Sequence, residues 1–134
     1  MTSEEMNRIA EAYFSTVCAA DAAGLRALFT DDIQWRIPQG AIEPYGGIHQ
    51  GADEIVGMML GAVGESFEAG SQIFDVITTL IGSDTVCKET QMSATAPDGR
   101  RYCNDYTFFF VFRDGLIAEI REHVDTRYAA GFFG

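Results

Sequence analysis

The residue best placed to do chemistry is Glu122, which lies on the apolar side of a predicted strand. Alternate residues of segment 116–125 fall on opposite faces of a strand. The apolar face carries Leu116, Ala118, Ile120, Glu122 and Val124. A carboxyl on a buried face is costly to ionise without a partner, so its pKa should rise and suit it to general acid/base work. In the alternative reading, Glu122 is structural and bonds a neighbouring arginine, tyrosine or backbone amide.

Four further polar side chains could orient a carbonyl or hydroxyl group of a ligand. Tyr13 lies in the first predicted helix, and Asn104 and Tyr106 share one face of a later strand. Each of these three equally fits a structural role, because buried polar groups need partners. His49 lies in a glycine-rich loop, where a neutral imidazole could act as a base, although the position also suits a solvated surface residue.

Apolar and aromatic side chains accompany these polar groups. Trp35 and Ile37 share one face of the first predicted strand, and Phe108 and Phe110 share the face of Tyr106. Aromatic walls suit an apolar or aromatic ligand, whereas the alternative is that these residues only fill the core.

Helical spacing of apolar residues predicts three helices that would support these groups. The first begins with a capping box, Thr2-x-x-Glu5, and runs to about residue 20. Asp21 can cap a short second helix, and a strand over residues 33–37 follows. After Pro38, a loop rich in glycine and proline leads to the third helix beyond residue 51.

The second half of the chain is predicted to form antiparallel hairpins. The β-rich segments lie near residues 72–81, 85–95, 102–113 and 116–125. Strong turn sequences separate them. This order of elements predicts an α+β fold, with helices gathered on one face of a curved antiparallel sheet.

Phenylalanines on both faces of one strand indicate a second covered surface. Phe108, Phe110 and Phe112 alternate with Phe109 and Val111, and helices in a small protein can cover only one of these faces. We therefore expect the outer face, with Phe109 and Val111, to meet a second copy of the chain as a homodimer.

Bulk composition narrows the function. With 134 residues, the chain has the length of one domain, spanning residues 1–134. Its formal charge of −11 argues against nucleic acid as a partner, since phosphate recognition needs clustered Lys and Arg. The acidic N-terminus shows no signal peptide and no apolar run suits a membrane span, so we expect a cytoplasmic protein without a membrane partner.

Metal and cofactor sites are not expected. The two histidines, His49 and His123, are far apart in sequence, and Cys18, Cys87 and Cys103 contain no C-x-x-C pair. Phosphate-binding glycine loops and a G-x-S-x-G serine nucleophile are absent from the sequence.

Several short motifs, in order, resemble the SnoaL-like branch of the nuclear transport factor 2-like superfamily. They are Tyr13-Phe14 to Asp21, Leu28-Phe29-x-Asp31-Asp32, Pro38, Tyr45-Gly46-Gly47, Gly51, Tyr102-x-Asn104-Asp105-Tyr106 and Arg121-Glu122-x-x-Asp125-Thr126. The resemblance covers nearly the whole chain. It implies a cone-shaped α+β barrel, in which a curved sheet wraps round the long first helix and leaves a mostly apolar cavity. It also implies dimers through the outer sheet face and turns Trp35, Ile37, Asn104, Tyr106 and Phe108 toward the cavity.

Two enzyme types of this superfamily guide the comparison of single positions. Tyr13 matches the oxyanion-binding tyrosine of ketosteroid isomerases, but Ile37 stands where those enzymes have their base, and Phe108 replaces their second acid. Against limonene epoxide hydrolases, Glu122 aligns with the last aspartate. The hydrolase arginine and first aspartate would fall at Glu89 and Gln91. Glu89 could then form an acid/base pair with Glu122, although which of Glu89 and Gln91 faces the cavity stays open.

Three functional hypotheses follow. The first is a cofactor-free enzyme that moves protons on a small hydrophobic molecule, as an isomerase, hydratase, hydrolase, lyase or cyclase, with Glu122 as acid or base. The second is a non-catalytic protein that binds a small ligand in the same cavity. The third is an accessory subunit that holds a partner through its outer sheet face. Fold alone does not choose between them.

Overall fold

Four helices and a six-stranded sheet make up the structure, a computed structural model that describes residues 1–134. The helices are α1 (Ser3–Cys18), α2 (Ala22–Arg26), α3 (Ala52–Ser66) and α4 (Thr126–Phe133). The strands are β1 (Phe29–Ile37), β2 (Gly47–Gln50), β3 (Ile73–Ile81), β4 (Thr85–Thr95), β5 (Arg101–Arg113) and β6 (Leu116–Val124). Their order across the sheet is β2-β1-β6-β5-β4-β3. No helix has both the length and the apolar character needed to cross a lipid bilayer.

The start of α1 follows from its sequence. The Thr2 hydroxyl accepts from the Glu5 backbone amide, and the Glu5 carboxylate accepts from the Thr2 amide, each at 3.1 Å. This reciprocal capping box satisfies two amides that the first helical turn leaves free. The apolar stripe that follows is buried against the sheet, and it brings Tyr13 into the interior.

The α+β prediction is confirmed, and the sheet is curved and mixed rather than purely antiparallel. Strand β6 pairs parallel with β1 and antiparallel with β5. The chain leaves β1, passes through β2, α3 and the hairpins β3 to β5, and returns beside β1 in the same direction. Strand β2 occupies part of the predicted loop, where Trp35 lies opposite His49 in an antiparallel pair.

The last helix was not predicted. The Asp125 side chain accepts from the backbone amide of Tyr128 at 3.1 Å and caps α4. An aspartate is among the residues preferred at this N-cap position. The eight residues of α4 are too few for a clear helical period in the sequence.

A β-bulge changes the face assignment at the start of β6. The pairing between β5 and β6 shifts between Val111 and Phe112, which lie opposite Glu119 and Ile117. Ile117 is therefore buried where Leu116 was expected, and the inward assignment of Leu116 and Ala118 is wrong. Beyond the bulge the alternation continues as predicted, so that Ile120 and Glu122 share the inner face.

Aromatic side chains of β5 pack on the inner face as the alternation predicts. Phe108, Phe110 and Phe112 are buried, while Phe109 and Val111 are half-buried on the outer face. The Tyr13 ring lies 5.1 Å from Phe110 and 5.7 Å from Phe108, measured between ring centroids. These contacts fix α1 against the middle of the sheet and position the Tyr13 hydroxyl.

Candidate functional site

A cavity of about 380 Å³ opens between the inner face of the sheet and helices α1, α3 and α4. Its lining is mostly hydrophobic and includes a loop, residues 41–45, between β1 and β2. The sequence-predicted residues on its wall are Tyr13, Trp35, Ile37, Tyr106, Phe108 and Glu122. A volume of this size suits a small molecule of one or two rings.

Glu122 is the carboxyl set deepest among apolar groups of this wall. Its Oε1 atom accepts a hydrogen bond from the indole Nε1 of Trp35 at 3.2 Å, and no Arg, Lys or His lies in salt-bridge contact with it. Burial raises the pKa of Glu122 to about 7, and the Trp35 hydrogen bond opposes that rise more weakly. Glu122 keeps some accessible surface, and it lines the cavity.

The tyrosines Tyr13 and Tyr106, which were predicted site residues, lie on the cavity wall with this carboxyl. The Tyr13 hydroxyl lies 3.8 Å from the sulfur of Met59, which is a weak acceptor. Burial and then the nearby Glu122 carboxyl raise the pKa of Tyr13 well above its ordinary value. Burial, followed by the neighbouring Tyr102 and Glu122, likewise raises the pKa of Tyr106. Both phenols therefore stay protonated and able to donate.

The Tyr106 hydroxyl belongs to a hydrogen-bonded group on strand β5. It lies 2.8 Å from the Tyr102 hydroxyl, which in turn lies 2.8 Å from Nδ2 of Asn104. Tyr102 was not among the predicted site residues, yet it shares the face of Asn104 and Tyr106 and lines the cavity. Strand alternation alone was a signal that could have found it.

Comparison with known proteins assigns the family. The sequence matches the SnoaL-like domain over residues 10–120. The chain belongs to the SnoaL-like family. No curated protein matches the sequence.

Solved structures share the fold of this SnoaL-like chain over almost its whole length. An NTF2-like protein from Burkholderia xenovorans LB400 is 23% identical, with a TM-score of 0.80 and coverage of 98% of this chain and 97% of that one. TerC, crystallised with polyporic acid, is 19% identical, with a TM-score of 0.81 and coverage of 95% and 96%. A protein from Rhodopseudomonas palustris named as a candidate isomerase is 21% identical, with a TM-score of 0.75 and coverage of 98% and 99%. At these identities the likeness shows the fold alone.

The predicted pairing of Glu89 with Glu122 is wrong. Glu89 and Gln91 are exposed on the outer face of β4, while Lys88, Thr90 and Met92 occupy its inner face. Lys88 can be buried because its Nζ atom donates to Asn7, Glu11 and Thr79 at 2.6, 2.7 and 2.9 Å. Two of those partners lie on α1, so the sequence of β4 alone does not reveal which face is internal.

Two other predicted ligand contacts lie outside the cavity lining. His49 is on β2, with Nε2 2.7 Å from the Tyr45 carbonyl oxygen and its ring 5.5 Å from that of Trp35. A carbonyl can only accept, so Nε2 donates and cannot serve as a base there. Asn104 is buried beside Tyr102, and its side chain is fully engaged within the protein.

Helices α3 and α4 complete the wall with residues that were not predicted. Met59 and Val63 come from α3, and Ala129 and Phe133 come from α4. The sequence shows the apolar stripe of α3. Whether that stripe packs on the sheet or lines a cavity depends on the distance between the helix and the sheet, which the sequence does not show. The lining of the SnoaL-like cavity is thus mostly apolar, and Glu122 is its one carboxyl that is not exposed, since Glu43 and Glu65 are exposed. Its phenols are those of Tyr13, Tyr45, Tyr102 and Tyr106.

Proposed function

We propose that this SnoaL-like protein is a cofactor-free acid/base enzyme acting on a small hydrophobic or aromatic molecule. The observation that carries the proposal is the Glu122 carboxyl, which faces an apolar cavity with a pKa of about 7. At neutral pH both its protonated and ionised forms are populated. Glu122 can therefore take a proton from a bound molecule and return it at another position.

The surrounding groups suit that chemistry. The indole N–H of Trp35 holds one oxygen of Glu122 and leaves the other free of protein partners. Tyr13 keeps its proton and has only a sulfur as partner, so its hydroxyl can donate to the negative charge that develops on a substrate oxygen. Isomerases, lyases, cyclases and hydratases all share such a proton-transfer step.

A non-catalytic binding protein is the second candidate. Ile37 lines the cavity at the position that the family resemblance assigns to the isomerase base, so the recognised base is missing. In that case the cavity would hold its ligand without exchanging protons, and Glu122 would serve only as a hydrogen-bond acceptor for Trp35.

Hydrogen exchange on a bound ketone separates the two candidates. A panel of aryl ketones that includes 1-indanone is incubated with the protein in D₂O near pH 7, and NMR follows loss of the hydrogens next to the carbonyl. We expect exchange by the wild type and a loss of about 100-fold or more in Glu122→Gln. Glu89→Gln, which removes an exposed carboxyl on the outer face, is the matched control. Ketones that bind without accelerated exchange would favour the binding protein.

A further inference from the structure

The opening of the cavity can be located from the exposure of its lining. Most lining residues are buried or half-buried. The exposed ones are Glu43 and Pro44 in the loop 41–45, Glu65 near the end of α3 and Phe133 at the end of α4. The cavity therefore opens to water between this loop and the C-terminal ends of the two helices, and these four residues form its mouth.

The charged groups of the cavity lining all have the same sign. They are Glu43, Glu65 and Glu122, and the lining contains no Arg, Lys or His. Neither Glu43 nor Glu65 forms an ion pair within the protein. Charges of one sign beside an apolar wall focus the electric field at an opening. The mouth therefore attracts cations and repels anions.

The end of helix α3 adds to this negative potential. Val63, Glu65 and Ser66 from its last turn line the cavity. The C-terminal end of a helix carries a partial negative charge, which acts over the last turn. No basic residue in that turn of α3 offsets it. The potential at the mouth thus has two sources, the carboxylates and the helix end.

The Gln72 side chain indicates a ligand that donates hydrogen bonds. Gln72 lies between α3 and β3, lines the cavity and is 9% exposed. Its Oε1 atom has no hydrogen-bond partner in the protein. A buried amide oxygen without a donor is costly. An N–H group of a ligand at this wall would supply the donor that the fold leaves out.

An organic amine fits this arrangement better than a metal ion does. No group of three or more His, Cys, Asp or Glu side chains is placed to hold a metal, and Ca²⁺ takes about six to eight oxygen ligands. An ammonium group needs only hydrogen-bond acceptors. It also brings an apolar part, which a cavity of about 380 Å³ can enclose. The ring of Phe133 at the mouth can add a cation–π contact.

We propose that the mouth binds the ammonium group of a small amine whose apolar ring enters the cavity. The ammonium group lies beside Glu43 and Glu65 at the exposed opening, which avoids the cost of burying a charge. The ring gains free energy by burial among the aromatic side chains of the interior. Gln72 accepts one of the ammonium hydrogens. This ligand class rests on the proposed function, because it takes the cavity as the active site.

The test compares three indanes that differ in one substituent: 2-aminoindane, 2-indanol and indane-2-carboxylate. At pH 7 the amine is a cation, like a lysine side chain, the alcohol is neutral and the carboxylate is an anion. NMR titration measures the dissociation constant of each. The ratio of the constants for 2-indanol and 2-aminoindane reports the effect of the charge, because the two molecules have nearly the same shape.

The wild type should bind 2-aminoindane about tenfold more tightly than 2-indanol at low salt, as two exposed ion pairs and a hydrogen bond would give. Indane-2-carboxylate should bind most weakly. Raising the salt concentration from about 0.01 M to about 1 M screens exposed charges and should remove most of the preference. A wild type that binds 2-indanol or the carboxylate as tightly as the amine would overturn the proposal, and so would one that binds none of the three.

The double variant Glu43→Gln/Glu65→Gln tests the mouth itself. It should lower the preference for 2-aminoindane by about threefold to tenfold and leave the affinity for 2-indanol unchanged. The matched control is Glu4→Gln/Glu89→Gln, which removes two exposed carboxylates outside the cavity lining and should keep the wild-type preference. An equal loss in both double variants would show that only net charge matters. A preference that survives in Glu43→Gln/Glu65→Gln would place the ammonium group elsewhere, and either result would overturn the proposal.

Gln72→Leu tests the hydrogen-bond acceptor. Leucine has a similar size and needs no partner, so this variant should be no less stable than the wild type in urea unfolding. It should weaken the binding of 2-aminoindane more than that of 2-indanol, because a charged donor makes the stronger hydrogen bond. Unchanged binding of both probes would overturn the part assigned to Gln72.

Binding and hydrogen exchange separate this ligand class from the proposed function. A wild type that prefers 2-aminoindane but does not accelerate exchange in the ketones would contradict the proposed function and leave the amine site standing. A wild type that accelerates exchange but has no preference for 2-aminoindane would contradict the amine site and leave the proposed function standing.

Discussion

Replacing Glu122 by glutamine should stabilise the protein at neutral and alkaline pH. Glutamine has nearly the shape of glutamic acid, and its amide oxygen can still accept from Trp35. The substitution removes the ability to ionise. Unfolded, the carboxyl titrates near its ordinary value of 4.5, whereas burial raises the folded pKa to about 7.

The sign of the effect follows from these two pKa values. Below pH 4.5 the carboxyl is protonated in both states, so the wild type and Glu122→Gln should unfold with similar free energies. Between pH 4.5 and 7 the carboxyl ionises only in the unfolded state. The free energy of unfolding of the wild type therefore falls, relative to that of Glu122→Gln, by about 1.4 kcal/mol for each pH unit. Above pH 7 both states are ionised and the difference levels off at about 3–4 kcal/mol in favour of Glu122→Gln.

Urea unfolding at a series of pH values from 4.5 to 8.5 measures this difference. Contributions from every other group cancel, because they are common to both proteins. Glu89→Gln serves as a control that removes an exposed carboxyl and should follow the wild-type curve. A difference that stays constant across the series, or a Glu122→Gln protein less stable than the wild type at pH 8, would refute the reasoning and indicate a paired carboxylate.

Three further outcomes are expected. The half-buried Phe109 and Val111 on the outer face should form the contact of a homodimer, so light scattering should show a dimer that Phe109→Asp dissociates; a wild-type monomer at micromolar concentration would contradict this. Glu11→Ala should lower the free energy of unfolding in urea by about 1–3 kcal/mol, because it leaves the buried Lys88 ammonium short of a partner. Lys88→Met should lower it by less, since the Glu11 carboxylate that it leaves without a partner is half exposed to water. The reverse order would show that packing of the lysine stem matters more than its charge. Ligand binding should survive chelation and dialysis, and an essential stoichiometric metal would disprove it.

Local sequence signals predicted those parts of the fold that local interactions determine. The capping box located the start of α1, and the turn sequences located the hairpins. Alternation placed Phe108 inside and Phe109 outside. Glu122 was assigned to the inner face correctly despite the bulge at the start of β6, because the alternation resumes after it.

The remaining features depend on contacts between distant residues. Lys88 is internal because side chains of α1 and β3 accept its hydrogens, and Glu89 and Gln91 therefore both lie on the outer face. The parallel pairing of β1 with β6 depends on the path of the whole chain. His49 lies on strand β2, opposite Trp35 of β1. This stretch was predicted to be a loop, and it forms a strand because its backbone pairs with that of β1.

The central claim is that the fold holds the Glu122 carboxyl among apolar groups, where it is poised to exchange a proton near neutral pH. NMR titration of glutamate labelled with ¹³C at the side-chain carboxyl, with the Glu122 signal assigned by its absence in Glu122→Gln, measures this directly. We predict a midpoint near pH 7, in line with burial as the dominant cause. A midpoint below about pH 5 would mean that the carboxyl is solvated or paired, and it would contradict the account.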